Sequence, residues 1–513
     1  MSILASSDNA LTMGAFFTPE KWAGFAVERF DLFRKWIAGA TIFDPTMGKG
    51  NLLFALIEKG LEEGYQPKDL PISRLYGVEL NSVFFDAMLH TTKERYGIAL
   101  TKNNYKNEDI FFQKREDVFD ILFGNPPWQN FVDLPEKYKP KIKGQFFLYD
   151  LVGKAQNLLL GGSRIDIAAL VLQKTIQKNL SKNGEAVFFI PLSLLLNDGA
   201  NKSFRKYQVN GVNYYIDKII DFNDLNVFDG VATRYGLIHI LRDQKQKFPI
   251  QYQRWGKNRW EQFVAKPLFH QDDPLSVFDE ESAASIEFTP IAVKKYSQPR
   301  QGINTCGANR IFFFDSLRSE YRGACEVSNK FLTATLPSAY LYPLITSKNF
   351  APNVSSPQKW VLLPYDQTGK ILNDQEIRAN DLLWSYFQKY ESPLRDRKGL
   401  LINVWIKKGL WWALLGVGEY SFAPHKIVWE AYGKDSFAPR IFDGRWQANQ
   451  SLQSFMPVRG AREAIKIMMS LVDGRVEKYL LSHKMEGTMN WAQPGKIKKM
   501  LQFEEEMQAP LPM

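Results

Sequence analysis

The chain has very little cysteine: Cys306 and Cys325 are the only two in 513 residues. Two are too few for a disulfide framework and stand in no metal-ligand spacing, so they read as reduced thiols of a cytoplasmic protein. Histidine is scarce as well, at five, and scattered, so no metal site is expected. No run of 18 apolar residues occurs, so no membrane span is expected. The stretch from Met1 to Gly14 has neither a basic start nor an apolar core, which argues against secretion. Internal repeats and low-complexity tracts are missing too. These absences exclude disulfide scaffolds, zinc modules, membrane proteins and solenoids.

What is present is length and apolar mass. A chain of 513 residues, 45% of them hydrophobic, predicts two or three domains with real cores. The net charge of +10 is unevenly placed. Residues 301–513 hold 27 Lys and Arg against 20 Asp and Glu, and eight of the 13 tryptophans; residues 1–300 hold 38 against 35. Basic charge interleaved with aromatics suits a polyanion with stackable bases.

Residues 14–130 alternate helix and strand. Phe16-Phe17-Thr18-Pro19 predicts the start of a helix reaching about Trp36, with Thr18 as N-cap and Pro19 in the first turn. A short strand through Phe43 ends at Asp44, and Pro45-Thr46-Met47-Gly48-Lys49-Gly50 predicts a tight loop before a helix from Asn51 to Lys59. A second strand, Arg74 to Val78, ends at Glu79, and a helix from about Ser82 to Tyr96 leads to Asn107-Glu108-Asp109-Ile110. The apolar run Val118 to Phe123 predicts a buried strand that Pro126 and Pro127 terminate. This is a βαβαβ pattern with an acidic residue at the end of successive strands, and ligands bind at that end of open α/β sheets. Glycines at 48 and 50 allow close backbone approach to a ligand, and a carboxylate at the second strand end can accept both hydroxyls of a ribose. An Asp before the next strand can accept from an adenine amino group. In Asn125-Pro126-Pro127-Trp128, an amide oxygen and an unshielded carbonyl can both accept from one exocyclic amino group while a flat ring stacks on its base.

These residues in this order resemble the gamma-class N6-adenine DNA methyltransferases, modification enzymes of restriction-modification and related phage-defence systems. Phe17-Thr18-Pro19 is similar to the family's motif X and Asp44 to Gly50 to motif I; Gly77-Val78-Glu79 is similar to motif II, Asp109-Ile110 to motif III and Asn125 to Trp128 to motif IV. Gly184 to Pro191 resembles motif VI, and Asn226 to Thr233, with Phe228, resembles motif VIII. Beyond residue 300, Gln301 to Thr305, Asn309 to Phe312, Tyr342-Pro343-Leu344, Leu363-Pro364-Tyr365, Leu394-Arg395-Asp396-Arg397 and Pro424 to Ile427 resemble the recognition domain of type IIG-like enzymes.

The resemblance implies an α/β chain: a Rossmann-like methyltransferase domain over 1–250, a connection over 251–300, and an α+β target recognition domain over 301–513. It implies S-adenosyl-L-methionine as cofactor, held by Phe17, Thr18, Pro19, Asp44, Pro45, Gly48, Gly50, Glu79, Asp109, Ile110 and Asn125. It implies catalysis by Asn125, Pro126, Pro127 and Trp128, with Trp128 and Phe228 against a flipped adenine of duplex DNA and no metal. A cognate restriction endonuclease or defence-complex subunits are implied as partners. An RNA adenine, a protein glutamine amide, or a role as a DNA-binding modification subunit active only within a larger complex are the alternatives. No Asp…Glu-x-Lys nuclease constellation stands out in the sequence.

Overall fold

In the computed structural model of the protein the three predicted strands, β1 (Ile42–Asp44), β2 (Leu75–Val78) and β4 (Phe119–Gly124), share one sheet with β5 (Leu180–Pro191), which holds the motif VI stretch, and with the unforeseen β3 (Tyr105–Lys106), all parallel in the order β3-β2-β1-β4-β5. The residues described are 16–100, 103–113, 117–152, 165–197, 201–231, 233–268, 270–280, 290–319, 323–351, 353–432, 436–482 and 492–504. The chain divides into two compact units, Met1–Ile286 and Glu287–Met513.

In the first unit, Ile121 to Phe123 and Ala186 to Ile190 are buried without alternation, as strands covered on both faces must be. From β1 the chain moves outward through β2 to β3, then crosses back to β4 on the other side. The C-terminal ends of β1 and β4 therefore diverge and open a crevice, the switch point of a doubly wound sheet. Past β5 the sheet turns antiparallel. Strand β6 (Gln208–Val209) pairs with the start of β7 (Val212–Asp221), and β8 (Tyr235–Arg242) lies between β5 and β7.

Helices cover this sheet. Helix α1 (Glu20–Arg29) and α2 (Leu32–Ile37) replace the single helix expected to reach Trp36. Asp31, left-handed at φ 55°, breaks the run, a conformation Asp tolerates better than most residues. The redirected α2 buries Phe33 and Trp36, and the Trp36 indole donates to the Pro71 carbonyl. Thr18 is not the N-cap; Pro19 takes that position and no side chain caps the helix. Helix α3 (Asn51–Glu62) follows the loop after β1, and α4 (Ser82–Tyr96) matches its expected bounds. Asn81 caps α4 by accepting from the Val83 N–H, and Gly97 closes it in the left-handed region.

Residues from 250 onward do not form the expected connection. Strands β9 (Ile250–Gly256), β10 (Arg259–Lys266) and β11 (Ser276–Phe278) extend the first sheet, β9 parallel to β7 and the others antiparallel. Tyr252 is fully buried and Trp260 stacks on Phe25 of α1 at 5.6 Å. Only one face of these strands is covered, so polar residues interrupt their apolar pattern.

The second unit is built from short sheets. Its largest has four antiparallel strands, in the order Arg300–Gln301, Gln453–Val458, His425–Glu430 and Arg440–Asp443. Trp411, Trp412 and Trp429 fill its interior, and no described tryptophan of this unit is exposed. Of the tryptophans expected to meet nucleic-acid bases, these three are thus core, because small sheets need bulky side chains to close a core, while Trp360, Trp384, Trp405 and Trp446 are half-buried. The buried Arg397 guanidinium donates to the carbonyls of Leu394, Thr305, Trp411 and Ala413, so the Leu394-Arg395-Asp396-Arg397 motif is structural here. Lys426 is fully buried, donates to the Gly444 carbonyl at 2.6 Å, and is pushed down to about 7 by burial. Among the described residues no helix is long and apolar enough to cross a membrane.

Candidate active site

The crevice is built by three strand ends. After β1, the buried Asp44 carboxylate accepts from the Thr46 N–H at 3.0 Å and starts a loop that packs on β2 through Met47 N–H to the Val78 carbonyl. Gly48 and Gly50 turn that loop with φ +55° and +88°. A Cβ on Gly50 would lie 2.6 Å from the Met88 side chain, so its close approach is to protein, while Gly48 faces the cavity under Phe17.

Glu79, just past β2, accepts from Gly48 N–H at 2.9 Å and from Asn81 N–H at 2.7 Å. One carboxylate thereby fixes both the glycine loop and the start of α4. A carboxylate has about four lone-pair sites, so Glu79 retains capacity for ligand hydroxyls. Asp109 accepts from Phe111 N–H at 3.0 Å and from the Tyr138 hydroxyl at 2.8 Å. Burial raises the pKa of all three acids, Asp44 most strongly, with the neighbouring Glu79 charge adding to the effect on Asp44. Among the described residues no lysine or arginine forms an ion pair with Asp44 or Glu79.

Asn125 stands at the end of β4, where the ladder stops at Gly124. Its Nδ2 donates to the Phe16 carbonyl at 2.8 Å and to Thr18 Oγ1 at 3.1 Å. A carbonyl can only accept, so the nitrogen must face it and the amide orientation is determined. The other end of the amide, Oδ1, is buried and accepts from no group among the described residues.

Trp128, 8% exposed, donates to the Phe189 carbonyl at 3.4 Å and lies beside this amide loop. Tyr235 stacks on it at 5.4 Å and 29°, and Phe228 meets its edge at 4.8 Å and 76°. The Tyr235 hydroxyl accepts from the N–H groups of Val227 and Phe228 and donates to the Leu225 carbonyl. Phe228 itself is 2% exposed.

The crevice encloses about 960 Å³, open space at its mouth included. Phe17, Pro45, Gly48, Glu79, Asp109, Ile110, Asn125 and Pro127 all line it. Thr18 and Asp44 line a smaller recess that shares Phe17, Gly48 and Asn125. Pro19, Gly50, Pro126, Trp128 and Phe228 line neither. Tyr138, Phe84 and Tyr235 escaped the sequence reading: Tyr138 reaches the site from a loop, Phe84 from α4 and Tyr235 from the first position of β8, none of them at a motif spacing.

Residues 74–228, from β2 to the loop that carries Phe228, match the family described as Eco57I restriction-modification methylase. The chain carries an Eco57I-type methylase domain. Over 121 residues it is 31% identical to the type II methyltransferase M.NspV of Nostoc sp. (strain ATCC 29411 / PCC 7524), a match that covers 21% of this chain and 24% of that relative. The chain thus aligns with about a quarter of that protein. Its fold is similar to that of the type IIL restriction-modification enzyme MmeI, solved in complex with DNA, with TM-score 0.52 and 13% identity over 95% of this chain and 67% of that one. The cofactor of a methylase domain of this kind is S-adenosyl-L-methionine, and the donor set of the crevice fits it. Glu79 can accept a ribose diol, Ile110, Phe84 and Phe111 offer apolar walls to a purine, and the buried acids Asp44 and Glu79 suit a cationic ligand.

Proposed function

We propose that the protein methylates N6 of an adenine flipped out of duplex DNA, as the modification arm of a restriction-modification or related defence system. The observation that carries this reading is the buried Oδ1 of Asn125, which has no donor among the described residues. Leaving a buried acceptor unsatisfied costs about 1–3 kcal/mol, a cost that persists in a fold when a ligand donor answers it. An exocyclic amino group supplies that donor, and the carbonyl of Pro126, beyond the end of the ladder, takes its second hydrogen.

When bound, S-adenosyl-L-methionine supplies an electrophilic methyl group. Glu79 holds the ribose; Asp109 and Ile110 flank the adenine ring of the cofactor. Phe17, Thr18, Asp44, Pro45 and the Gly48 loop surround the methionine end, while Pro19 and Gly50 set the backbone that presents them. Asn125 and Pro126 orient the amino group so that its nitrogen lone pair points into the crevice. Pro127 stiffens that turn, and Trp128, braced edge-on by the buried Phe228, holds the extruded base, a stacking contribution of about 1–3 kcal/mol. The work of these residues is positioning and electrostatic complementarity.

The second unit, with the larger share of the basic excess, is proposed as the reader of the target sequence. A cognate endonuclease or further subunits are its proposed partners. Incubating purified protein with labelled cofactor and either duplex DNA or RNA, followed by nucleoside mass spectrometry, tests the reading. N6-methyladenine in DNA supports it, and label confined to RNA overturns it.

A further inference from the structure

In the second unit, helix Leu400–Lys407 presents an aliphatic face to solvent. Leu400 is 89% exposed, Leu401 69% and Val404 50%, and only Ile402 of the helix is fully buried. Single exposed leucines need no explanation, but three aliphatic residues at i, i+1 and i+4 form one contiguous face. The stretch 398–408 contains Lys398, Lys407 and Lys408, all exposed, and no carboxylate.

The helix stands on a rigid base. Arg397, immediately before it, donates to the carbonyls of Trp411 and Ala413, just after it. One buried guanidinium thus closes the segment at its root, while Ile402, Trp405 and Ile406 pack the other side of the helix on the core of the unit.

Resting on the reading of duplex DNA as substrate, we propose that this helix is an apolar wedge: Leu400 and Leu401 enter between base pairs, and Lys398, Lys407 and Lys408 sit on the flanking phosphates. The size and charge of the face select this occupant. Three aliphatic side chains fall well short of the roughly 800 Å² per partner that a stable protein interface buries. Membrane binding also scales with buried apolar area, which two helical turns do not supply. A DNA wedge needs only one or two apolar side chains flanked by cations.

The test uses the full chain and plasmid DNA relaxed by a topoisomerase in its presence, because a wedge unstacks and unwinds the duplex whatever the recognition sequence. The wild type shifts the linking number. The Leu400→Ser/Leu401→Ser double variant keeps its thermal midpoint and still binds duplex, yet loses the shift. The Lys398→Gln/Lys407→Gln/Lys408→Gln variant lowers the slope of log affinity against log salt by about 2 to 3. An undiminished shift in the double serine variant overturns the wedge. So does a change from dimer to monomer, or loss of anionic-vesicle binding, with the shift intact, since a second copy or a lipid surface then covers the face. Methyl transfer to DNA by a wild type that causes no shift overturns the wedge alone; failure of the wild type to bind or methylate DNA overturns the substrate reading with it.

Discussion

Thr18 and Asn125, 107 positions apart, are joined side chain to side chain: the Thr18 hydroxyl oxygen accepts from the Asn125 amide at 3.1 Å. With the Phe16 carbonyl at 2.8 Å it saturates the nitrogen end of that amide and turns the oxygen end into the crevice. Removing the acceptor should therefore cost turnover far more than cofactor affinity. For Asn125→Ala the expected loss in kcat is about 10²–10³-fold, the usual range for one oriented catalytic hydrogen bond. Calorimetry should find cofactor affinity within a few-fold of wild type. Thr18→Val, which frees one amide hydrogen, should give an intermediate loss. Equal loss of cofactor affinity and turnover in Asn125→Ala would assign the amide to cofactor binding.

Asp44 couples stability to pH. Burial raises its folded pKa above the unfolded value, so the folded state binds the extra proton. Without cofactor, stability therefore falls as pH rises from the ordinary carboxylate range through the raised pKa. Asp44→Asn keeps an oxygen for the Thr46 N–H and removes the charge. It should raise the melting temperature of the cofactor-free protein at pH 8, by about 2–4 °C for each kcal/mol recovered, and change it little at pH 4. The same variant should bind the cationic cofactor more weakly, and lose the rise of wild-type affinity with pH across that window. Identical melting shifts at both pH values would contradict a charge origin.

The domain boundary is testable by truncation. A chain ending at Ile286 should fold and bind S-adenosyl-L-methionine. One ending at residue 249 should not, because it loses β9 to β11. Buried Asp221, which pairs with Arg234, would lose the Tyr252 hydroxyl at 2.6 Å and the Arg254 guanidinium at 3.3 Å. Circular dichroism melts distinguish the two outcomes; a cooperative melt of the shorter chain would show the extra strands to be dispensable.

Tyr235→Phe keeps the ring on Trp128 and deletes a hydroxyl that holds Leu225, Val227 and Phe228. Two buried N–H groups lose their acceptor, at about 1–3 kcal/mol each. The expected result is a several-fold lower kcat on DNA with unchanged cofactor affinity, because the aromatic wall loosens on the base side only. Unchanged kcat would mean that packing alone fixes Phe228.

Much of this was legible in the sequence because local rules and tertiary demands agree there. Ser82 to Tyr96 carries an Asn cap and a Gly stop, and the Val118 to Phe123 run ends at two prolines, so both elements announce their bounds. Thr18 misled because a Thr before Pro reads as a cap, whereas tertiary contact with Asn125 takes its hydroxyl. Strands β9 to β11 were hidden because Gln, Arg and Glu fill their uncovered face. The tryptophans of the second unit could be read as core or as a stacking surface, and only burial separates the two. The unpartnered oxygen of Asn125 has no sequence signature at all, since it depends on where Phe16 lies.

The most direct measurement of the central claim is the identity of the methylated base. Duplex DNA treated with purified protein and S-adenosyl-L-methionine, then digested to nucleosides for mass spectrometry, should contain N6-methyladenine, and the Asn125→Ala protein should form it about 10²–10³-fold more slowly. N4-methylcytosine as the sole product, or equal N6-methyladenine from the variant, would contradict the account.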